Sequence, residues 1–154
     1  MTFKVFAETA SRLQNAVQRK HRLFSAPSSP LLRDFFSLLE KYGYVEGIAS
    51  EREGPSDEVS TRKENRRKGQ AMKQILIGLK YIDFQGRVEG SLTKITLYSS
   101  PSKRTAYSMK RLHQLKQTSS SSHSLHIFLT NKGMLSLDEC LAQNVGGFLF
   151  CRVI

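Results

Sequence analysis

Acidic side chains and long apolar runs are both scarce in this sequence. The 154 residues include 13 Asp and Glu against 24 Lys and Arg, which gives a formal net charge of +11. This excess of positive charge indicates a polyanionic partner, with nucleic acid as the first candidate and an anionic membrane surface as the second. The apolar runs are as short as Ile75–Ile77 and Phe148–Phe150. A membrane-spanning helix needs roughly 18 residues or more, and no basic amphipathic helix that could lie on a membrane surface dominates the chain. We therefore expect no membrane partner.

Sequence patterns of metal binding and catalysis are absent as well. Cys140 and Cys151 form no CxxC or Cys/His spacing typical of zinc, and both lie in apolar segments, which predicts buried thiols in a reducing compartment. There is no Walker loop or GxGxxG motif, and the four histidines have no catalytic partner at a recognisable spacing. Ser136 and Glu139 fit a helix capping box better than a catalytic pair. We therefore expect no enzymatic activity, cofactor, metal or small-molecule substrate.

Apolar periodicity predicts two helices near the N-terminus. The apolar side of the first consists of Phe6, Ala10, Leu13, Ala16 and Val17. Ser29 and Pro30 are the N-cap and first-turn signals of the second helix, and Gly43 ends it. The apolar side of this second helix consists of Leu31, Leu32, Phe35, Phe36, Leu38 and Leu39.

Short apolar runs separated by turns predict strands in the rest of the chain. Residues 44–50 and 73–81 are each expected to form a strand, and the polar residues 51–72 between them an exposed loop or insertion. Residues 118–124 are Ser-rich and predict a flexible linker. Residues 126–154 follow the order strand, loop, short helix, strand.

These elements predict an α+β fold built from two units. Residues 1–90 form an N-terminal αβαββ-type unit with the insertion at about 51–72. This unit packs on residues 91–154, a mostly β C-terminal unit with one short helix.

Two basic clusters interrupt this order. The cluster in the insertion consists of Arg62, Lys63, Arg66, Arg67 and Lys68. The later cluster has no acid among its basic residues and has Tyr98 and Tyr107 interleaved; it consists of Lys103, Arg104, Lys110, Arg111 and Lys116. A charge run is commonly just a solvated segment, but in so basic a chain we favour phosphate contact slightly for the insertion.

A small polar loop lies between the strands of the C-terminal segment. Thr130 and Asn131 supply a hydroxyl and an amide, Lys132 a positive charge, and Gly133 backbone freedom for close approach by a ligand. Such a loop can bind the phosphates and 2′-OH groups of RNA. It fits an ordinary hairpin turn equally well.

The order of these motifs resembles the universal ribosomal small-subunit protein eight family. That family shows a Ser-Thr-Ser-Lys-Gly loop, a short helix, a Gly-Gly-Glu turn and an apolar-Cys ending. Here the counterparts are residues 129–133, Gly146-Gly147-Phe148 and residues 149–153. Upstream counterparts are SRLQNA (11–16), PSSPLL (27–32), KYGYVEGI (41–48), LIGLKY (76–81) and SSPSKR (99–104). The ordered set covers nearly the whole chain apart from the insertion and the serine run.

The resemblance implies which residues contact RNA. For the specific contact it implies Thr130, Asn131 and Lys132 with Gly133 and the Gly146-Gly147 turn. For a flanking patch it implies Ser99, Pro101, Lys103, Arg104 and Tyr107. For contacts from the N-terminal unit it implies Arg12, Asn15, Ser28, Ser29 and Lys80.

Differences from the family pattern indicate the cellular compartment in which the protein functions. Leu129 and Asn131 replace the first and third loop serines, Phe148 replaces the glutamate, and the insertion is absent from compact bacterial members. These changes suggest a diverged organellar member, with the mitochondrion favoured over plastid or cytoplasm. Residues 1–24 contain Glu8 as their one acid and lack the apolar core of a secretory signal. They resemble an organelle-targeting helix and equally a structural first helix.

The resemblance implies a structural constituent of the small ribosomal subunit. Such a protein binds the central domain of small-subunit ribosomal RNA, contacts neighbouring small-subunit proteins and supports subunit assembly and translation. Two alternatives stay open: a free RNA-binding translational regulator with the same fold, and an RNA-modifying enzyme with an unrecognised site. The regulator would be stable and monomeric off the ribosome, whereas the enzyme requires a pocket of convergent titratable groups.

Overall fold

The computed structural model describes residues 3–53, 73–100, 103–119 and 123–154. In chain order the elements are α1 (Phe3–Gln18), β1 (Leu23–Pro27), α2 (Pro30–Lys41), β2 (Val45–Glu53), β3 (Lys73–Leu79), β4 (Tyr81–Phe84), β5 (Arg87–Gly90), β6 (Ile95–Leu97), β7 (Ala106–Tyr107), α3 (Met109–Ser119), β8 (Leu125–Thr130), β9 (Gly133–Ser136), α4 (Leu137–Ala142) and β10 (Gly147–Val153).

The first half folds as an antiparallel three-stranded sheet with two helices. The strand order is β1-β3-β2. Both α1 and α2 bury most of the apolar side chains that their periodicity predicts, while Val17 and Leu31 are half-buried. The Ser29 hydroxyl accepts a hydrogen bond from the backbone N–H of Leu32 at 3.3 Å, which satisfies one of the free N–H groups at the start of α2. Gly43 has a φ of 77° just beyond the helix end, a conformation that glycine adopts at little cost.

The second half folds around its last strand. β10 pairs with β8 on one side and with β6 and β7 on the other, all antiparallel, and β9 extends the sheet beyond β8. α3 and α4 cover part of this sheet, where Leu112, Phe128 and Cys140 form the centre of a small second core. This sheet therefore depends on β10 as its central strand.

Aromatic contacts join the two halves. Phe6 of α1 packs edge-to-face on Phe35 of α2, with ring centroids 4.9 Å apart. It also packs on Phe150 of β10, with centroids 4.6 Å apart. The larger buried cluster accordingly contains residues of both halves. Each buried phenylalanine contributes roughly 2–3 kcal/mol of apolar transfer free energy, so α1 holds the two sheets together.

A separate hairpin, β4–β5, projects beside α1. Its turn residues Gln85 and Gly86 have φ values of 52° and 79°, as a tight two-residue hairpin requires. At its base the Tyr81 hydroxyl donates to the backbone carbonyl of His21 at 2.6 Å. Phe84, near the tip, is 69% exposed.

The structure confirms the α+β class, the N-terminal order αβαββ and several local predictions. The capping box at Ser136 and Glu139 is present, and both cysteines are free and buried. No helix within the described ranges is long and apolar enough to cross a membrane.

Some predicted boundaries are wrong. Residues 109–119 form α3, which the sequence analysis did not anticipate, because only Leu112 of this mostly polar helix is buried. Consequently Thr118 and Ser119 are helical, rather than part of the predicted linker. β2 extends to Glu53, three residues into the predicted insertion, whose remainder lies outside the described residues. The predicted strand 73–81 divides at Lys80 into β3 and β4.

Candidate nucleic-acid interface

A groove of about 1100 Å³ opens where the C-terminal sheet meets the start of α1. Its walls come from the β8–β9 turn, the residues before β10 and the segment after β6. Six of the residues predicted to contact RNA line it: Ser99, Arg104, Thr130, Asn131, Gly146 and Gly147. Segments from the start of α1 to the last strand thus form one surface, although they lie far apart in the sequence.

The β8–β9 turn is held in shape by its own hydrogen bonds. Thr130 pairs with Gly133 across the hairpin, which leaves Asn131 and Lys132 at the tip. The Thr130 hydroxyl donates to the Gly133 carbonyl at 2.9 Å and accepts from the Lys132 N–H at 3.1 Å. Gly133 takes a φ of 103°, which a residue with a side chain rarely adopts. The exposed Asn131 amide is therefore the more available polar group for a ligand, while Thr130 mainly fixes the turn.

Two consecutive glycines, Gly146 and Gly147 (the glycine pair), let three backbone segments approach closely. A Cβ atom on Gly146 would lie 2.8 Å from the Tyr107 carbonyl oxygen. One on Gly147 would lie 2.8 Å from both the Leu129 carbonyl oxygen and Thr130 Cγ2. A side chain at either position would push these segments apart, so the floor of the groove requires glycine here.

The third wall is the segment between β6 and β7. Ser99 is buried, and its hydroxyl donates to the Leu149 carbonyl, which anchors this wall to β10. Ser100 and Lys103 form a turn in which each backbone N–H donates to the other's carbonyl, at 2.9 and 3.2 Å. The Arg104 guanidinium carbon lies 5.9 Å from the centroid of the Phe148 ring. Pro101 lies outside the described residues.

The charge of the groove is positive. Of the described residues that line it, those with a formal charge are Lys4 and Arg104. The uncharged polar lining includes Ser100, Asn131 and Asn144. This combination suits a ligand with phosphates and hydrogen-bonding edges.

Lys132 faces a different part of the surface from Thr130 and Asn131. It lines a smaller hollow of about 280 Å³ together with Lys41 and Glu139. Burial would raise the pKa of the Glu139 carboxyl, but hydrogen bonds from Lys41 and from the Ser136 backbone outweigh it and lower that pKa. Glu139 also completes the capping box of α4. The sequence groups Lys132 with the groove, whereas in the structure Lys132 lines this smaller hollow together with the Lys41–Glu139 ion pair.

The predicted flanking residue Tyr107 is half-buried and does not line the groove. Its ring packs edge-to-face on Phe128 at 5.7 Å, and the Arg111 guanidinium lies 5.2 Å from its centroid. Its carbonyl oxygen lies close to Gly146. Lys103 is exposed next to the groove but does not line it.

The residues predicted for the N-terminal unit lie away from the groove lining. Arg12 lies over the Phe24 ring, 5.7 Å from its centroid, and Asn15 is exposed on α1. The Ser28 hydroxyl accepts from Arg33 at 2.7 Å, and the Ser29 hydroxyl caps α2. The Lys80 amine lies near Gly43, 3.8 Å from where a Cβ atom would be. The five basic residues predicted in the insertion, Arg62, Lys63, Arg66, Arg67 and Lys68, fall outside the described residues.

Sequence reasoning missed several lining residues. Phe3 and Lys4 reach the groove from the start of α1, and nothing local in the sequence indicates this. Asn144, with a φ of 52° just after α4, had a usable signal, because asparagine often replaces glycine at a helix end. Phe148 had been noticed as a departure from the family pattern but was not assigned to the site.

Within the described ranges there is no cluster of three or more His, Cys, Asp or Glu side chains that could hold a metal ion.

Burial raises the pKa of Cys140 to about 11 and raises the pKa of Cys151 as well. Thiols with raised pKa values are poor nucleophiles at neutral pH. The groove combines two cationic residues with polar and apolar side chains, and such a mixed lining is suited to binding.

Comparison with known proteins identifies the family of this chain. Residues 4–154 match the family described as Ribosomal protein S8. The chain is 31% identical over 143 residues to the small ribosomal subunit protein uS8 of Gluconobacter oxydans (strain 621H), covering 93% of this chain and 91% of that protein. The uS8 proteins of Gluconacetobacter diazotrophicus and Brucella ovis are 32% and 31% identical, with the same coverage. By the extent of these matches, and in agreement with the resemblance in its motifs, this chain belongs to the ribosomal protein S8 family.

Proposed function

We propose that this protein is a structural constituent of the mitochondrial small ribosomal subunit, where it binds the central domain of the small-subunit ribosomal RNA during assembly. The S8 family is one of structural, non-enzymatic ribosomal proteins, in agreement with the absence of catalytic patterns from the sequence. The observation that carries the proposal is the groove, in which the loop, the glycine pair and the Ser99–Arg104 segment meet. These are the segments whose motifs resemble the family.

The groove supplies shape, and the excess of cations supplies most of the affinity. A protein with a net charge of +11 gains binding free energy by releasing counterions from phosphates, and its affinity falls steeply with salt. The rigid turn at Thr130 and the bare backbone at Gly147 fit the irregular surface of a folded RNA better than a regular duplex. Neighbouring small-subunit proteins would contact surfaces outside the groove.

Both halves of the chain take part in this proposal. The C-terminal unit, residues 91–154, makes the specific contact through Thr130, Asn131 and the glycine pair. The N-terminal unit, residues 1–90, contributes contacts through Arg12, Asn15, Ser28, Ser29 and Lys80. The buried cluster that both halves share keeps the two contact surfaces at a fixed spacing.

Three features of the sequence support the mitochondrion. Residues 1–24 are basic, with Glu8 as their one acid. Residues 51–72 carry a polar, basic insertion, and the family's loop serines and glutamate are replaced at Leu129, Asn131 and Phe148. An RNA of altered structure would select for such replacements at the contact surface.

The first experiment is sedimentation of the native protein from an organelle lysate at moderate and then high salt. An integral ribosomal component migrates with the small subunit through high salt. Migration as a free, monomeric species at moderate salt would instead favour the translational regulator.

A second experiment separates the specific contact from general phosphate contact. Asn131→Ala, a change at the tip of the turn and within the groove, is compared with Arg66→Ala in binding to a transcript of the central domain. The Asn131 change should weaken the specific complex more than the Arg66 change. Equal losses would refute the assignment of specificity to the Thr130–Gly133 turn.

A further inference from the structure

An aromatic ring is exposed at the mouth of the groove. Phe148 is 37% exposed, although it lies in β10 between strands on both sides. Its backbone pairs with Ala106 of β7 and Leu129 of β8, so its position is fixed by the sheet. A ring held rigidly at the surface of a cationic groove is ready to pack against a flat partner.

Arg104 stacks on this ring. Its guanidinium carbon lies over the Phe148 ring, 5.9 Å from the centroid, close enough for a cation–π interaction. A planar guanidinium and an aromatic ring are the two protein groups on which unpaired RNA bases stack. Because Arg104 is exposed, a base can stack on the outer face of the guanidinium or on the exposed part of the ring.

The surroundings select a nucleotide over a purely apolar ligand. The exposed amide of Asn131 lines the same groove and offers both a donor and an acceptor to the edge of a base. Lys4 adds a second positive charge for a phosphate. The groove's volume of about 1100 Å³ slightly exceeds the roughly 300–1000 Å³ that small-ligand pockets span.

We propose that Phe148 and Arg104 form a stacking platform for one unpaired RNA base. The proposal rests on the proposed function, since it assigns to the RNA-binding groove one particular contact.

The chain contains no tryptophan, which allows a direct optical test. Phe148→Trp places a single indole on the platform. The probe is a stem-loop RNA with one bulged adenosine, and its control is the same stem fully paired. Stacking of the bulged base should quench the indole fluorescence, whereas the paired stem should leave it nearly unchanged. Phe84→Trp, on the 69% exposed residue of the β4–β5 hairpin, is the matched control. Its indole fluorescence should not change when either RNA is added.

Affinity provides the second measurement. Phe148→Leu keeps an apolar side chain without the ring, and Phe148→Tyr keeps the ring. From the measured worth of one base–aromatic stack, Phe148→Leu should weaken binding of the bulged stem by on the order of 5- to 100-fold. It should leave binding of the paired stem unchanged, and Phe148→Tyr should retain wild-type affinity. Circular dichroism of each variant verifies that it is folded.

The outcomes separate this inference from the function on which it rests. If fluorescence anisotropy shows bound RNA but the indole is not quenched, the platform is refuted and the RNA-binding function stands. Equal losses for both RNAs in Phe148→Leu would refute it too. If neither RNA binds to the wild-type protein at moderate salt, both the platform and the proposed function fail.

Discussion

Replacing Gly147 by alanine adds one methyl group at the tightest point of the groove floor. The new Cβ atom would lie 2.8 Å from the Leu129 carbonyl oxygen and 2.8 Å from Thr130 Cγ2. Optimal contacts between such atoms are about 3.5–4.0 Å. Either β10 or the end of β8 must therefore move by several tenths of an ångström.

The cost of this movement follows from overpacking. Extra methyl groups forced into a packed site cost about 1–3 kcal/mol. For a protein of this size, that lowers the melting temperature by roughly 3–10 °C. Because the displaced atoms belong to Leu129 and Thr130, the β8–β9 turn moves as well, and RNA affinity falls with stability.

The assay is thermal unfolding followed by fluorescence anisotropy with the central-domain transcript. Gly47→Ala is the matched control, because a Cβ atom there would meet only the Glu40 carboxylate, at an ordinary 3.6 Å. The control should melt within about 2 °C of the wild type, because a substitution at a position without close contacts changes the free energy of unfolding little. A Gly147→Ala protein with wild-type melting and wild-type affinity would refute the close approach of these backbones.

Three further predictions concern stability and reactivity. Ser136→Ala removes the N-cap of α4 and should lower the free energy of unfolding by about 1–2 kcal/mol in urea titrations. Burial, and then the charge of Arg152, lower the pKa of His126 below its ordinary 6.5. The unfolded chain therefore binds a proton at His126 more readily than the folded protein does. The contribution of His126 to the free energy of unfolding is present above pH 6.5 and is lost as the pH falls toward the lower pKa of the folded state. His126→Gln should flatten this dependence of stability on pH between about pH 5 and 8. Cys140 and Cys151 are buried with raised pKa values and should react with a thiol reagent at pH 8 only after denaturant is added.

The predictable parts of the fold are those specified by local sequence. The cap at Ser29, the end of α2 at Gly43 and the capping box at Ser136 each depend on residues within four positions, and the structure has all three. α3 was missed because its surface is polar and Leu112 alone is buried. A helix held by one buried residue leaves little periodic signal.

The candidate site was predicted only in part, because the roles of its residues depend on contacts between segments that are distant in the sequence. Thr130, Gly146 and Gly147 were found through motif order, but their physical roles come from contacts across strands. Thr130 uses its hydroxyl within the turn, and the glycines are required by backbones that the sequence does not place together. The position of Lys132 beside Glu139 likewise depends on how α4 packs, which motif spacing does not specify.

The central strand of the C-terminal sheet comes after every strand that it joins. Until residues 147–153 have been synthesised, β6 and β7 have no partner in this sheet and β8 is paired on one side only. Long-range pairing of this kind forms late in folding. A copy of the protein that lacks β10 would keep most of its basic residues but would have no groove floor at Gly147. Such a copy could not form the surface on which the proposed RNA contact depends.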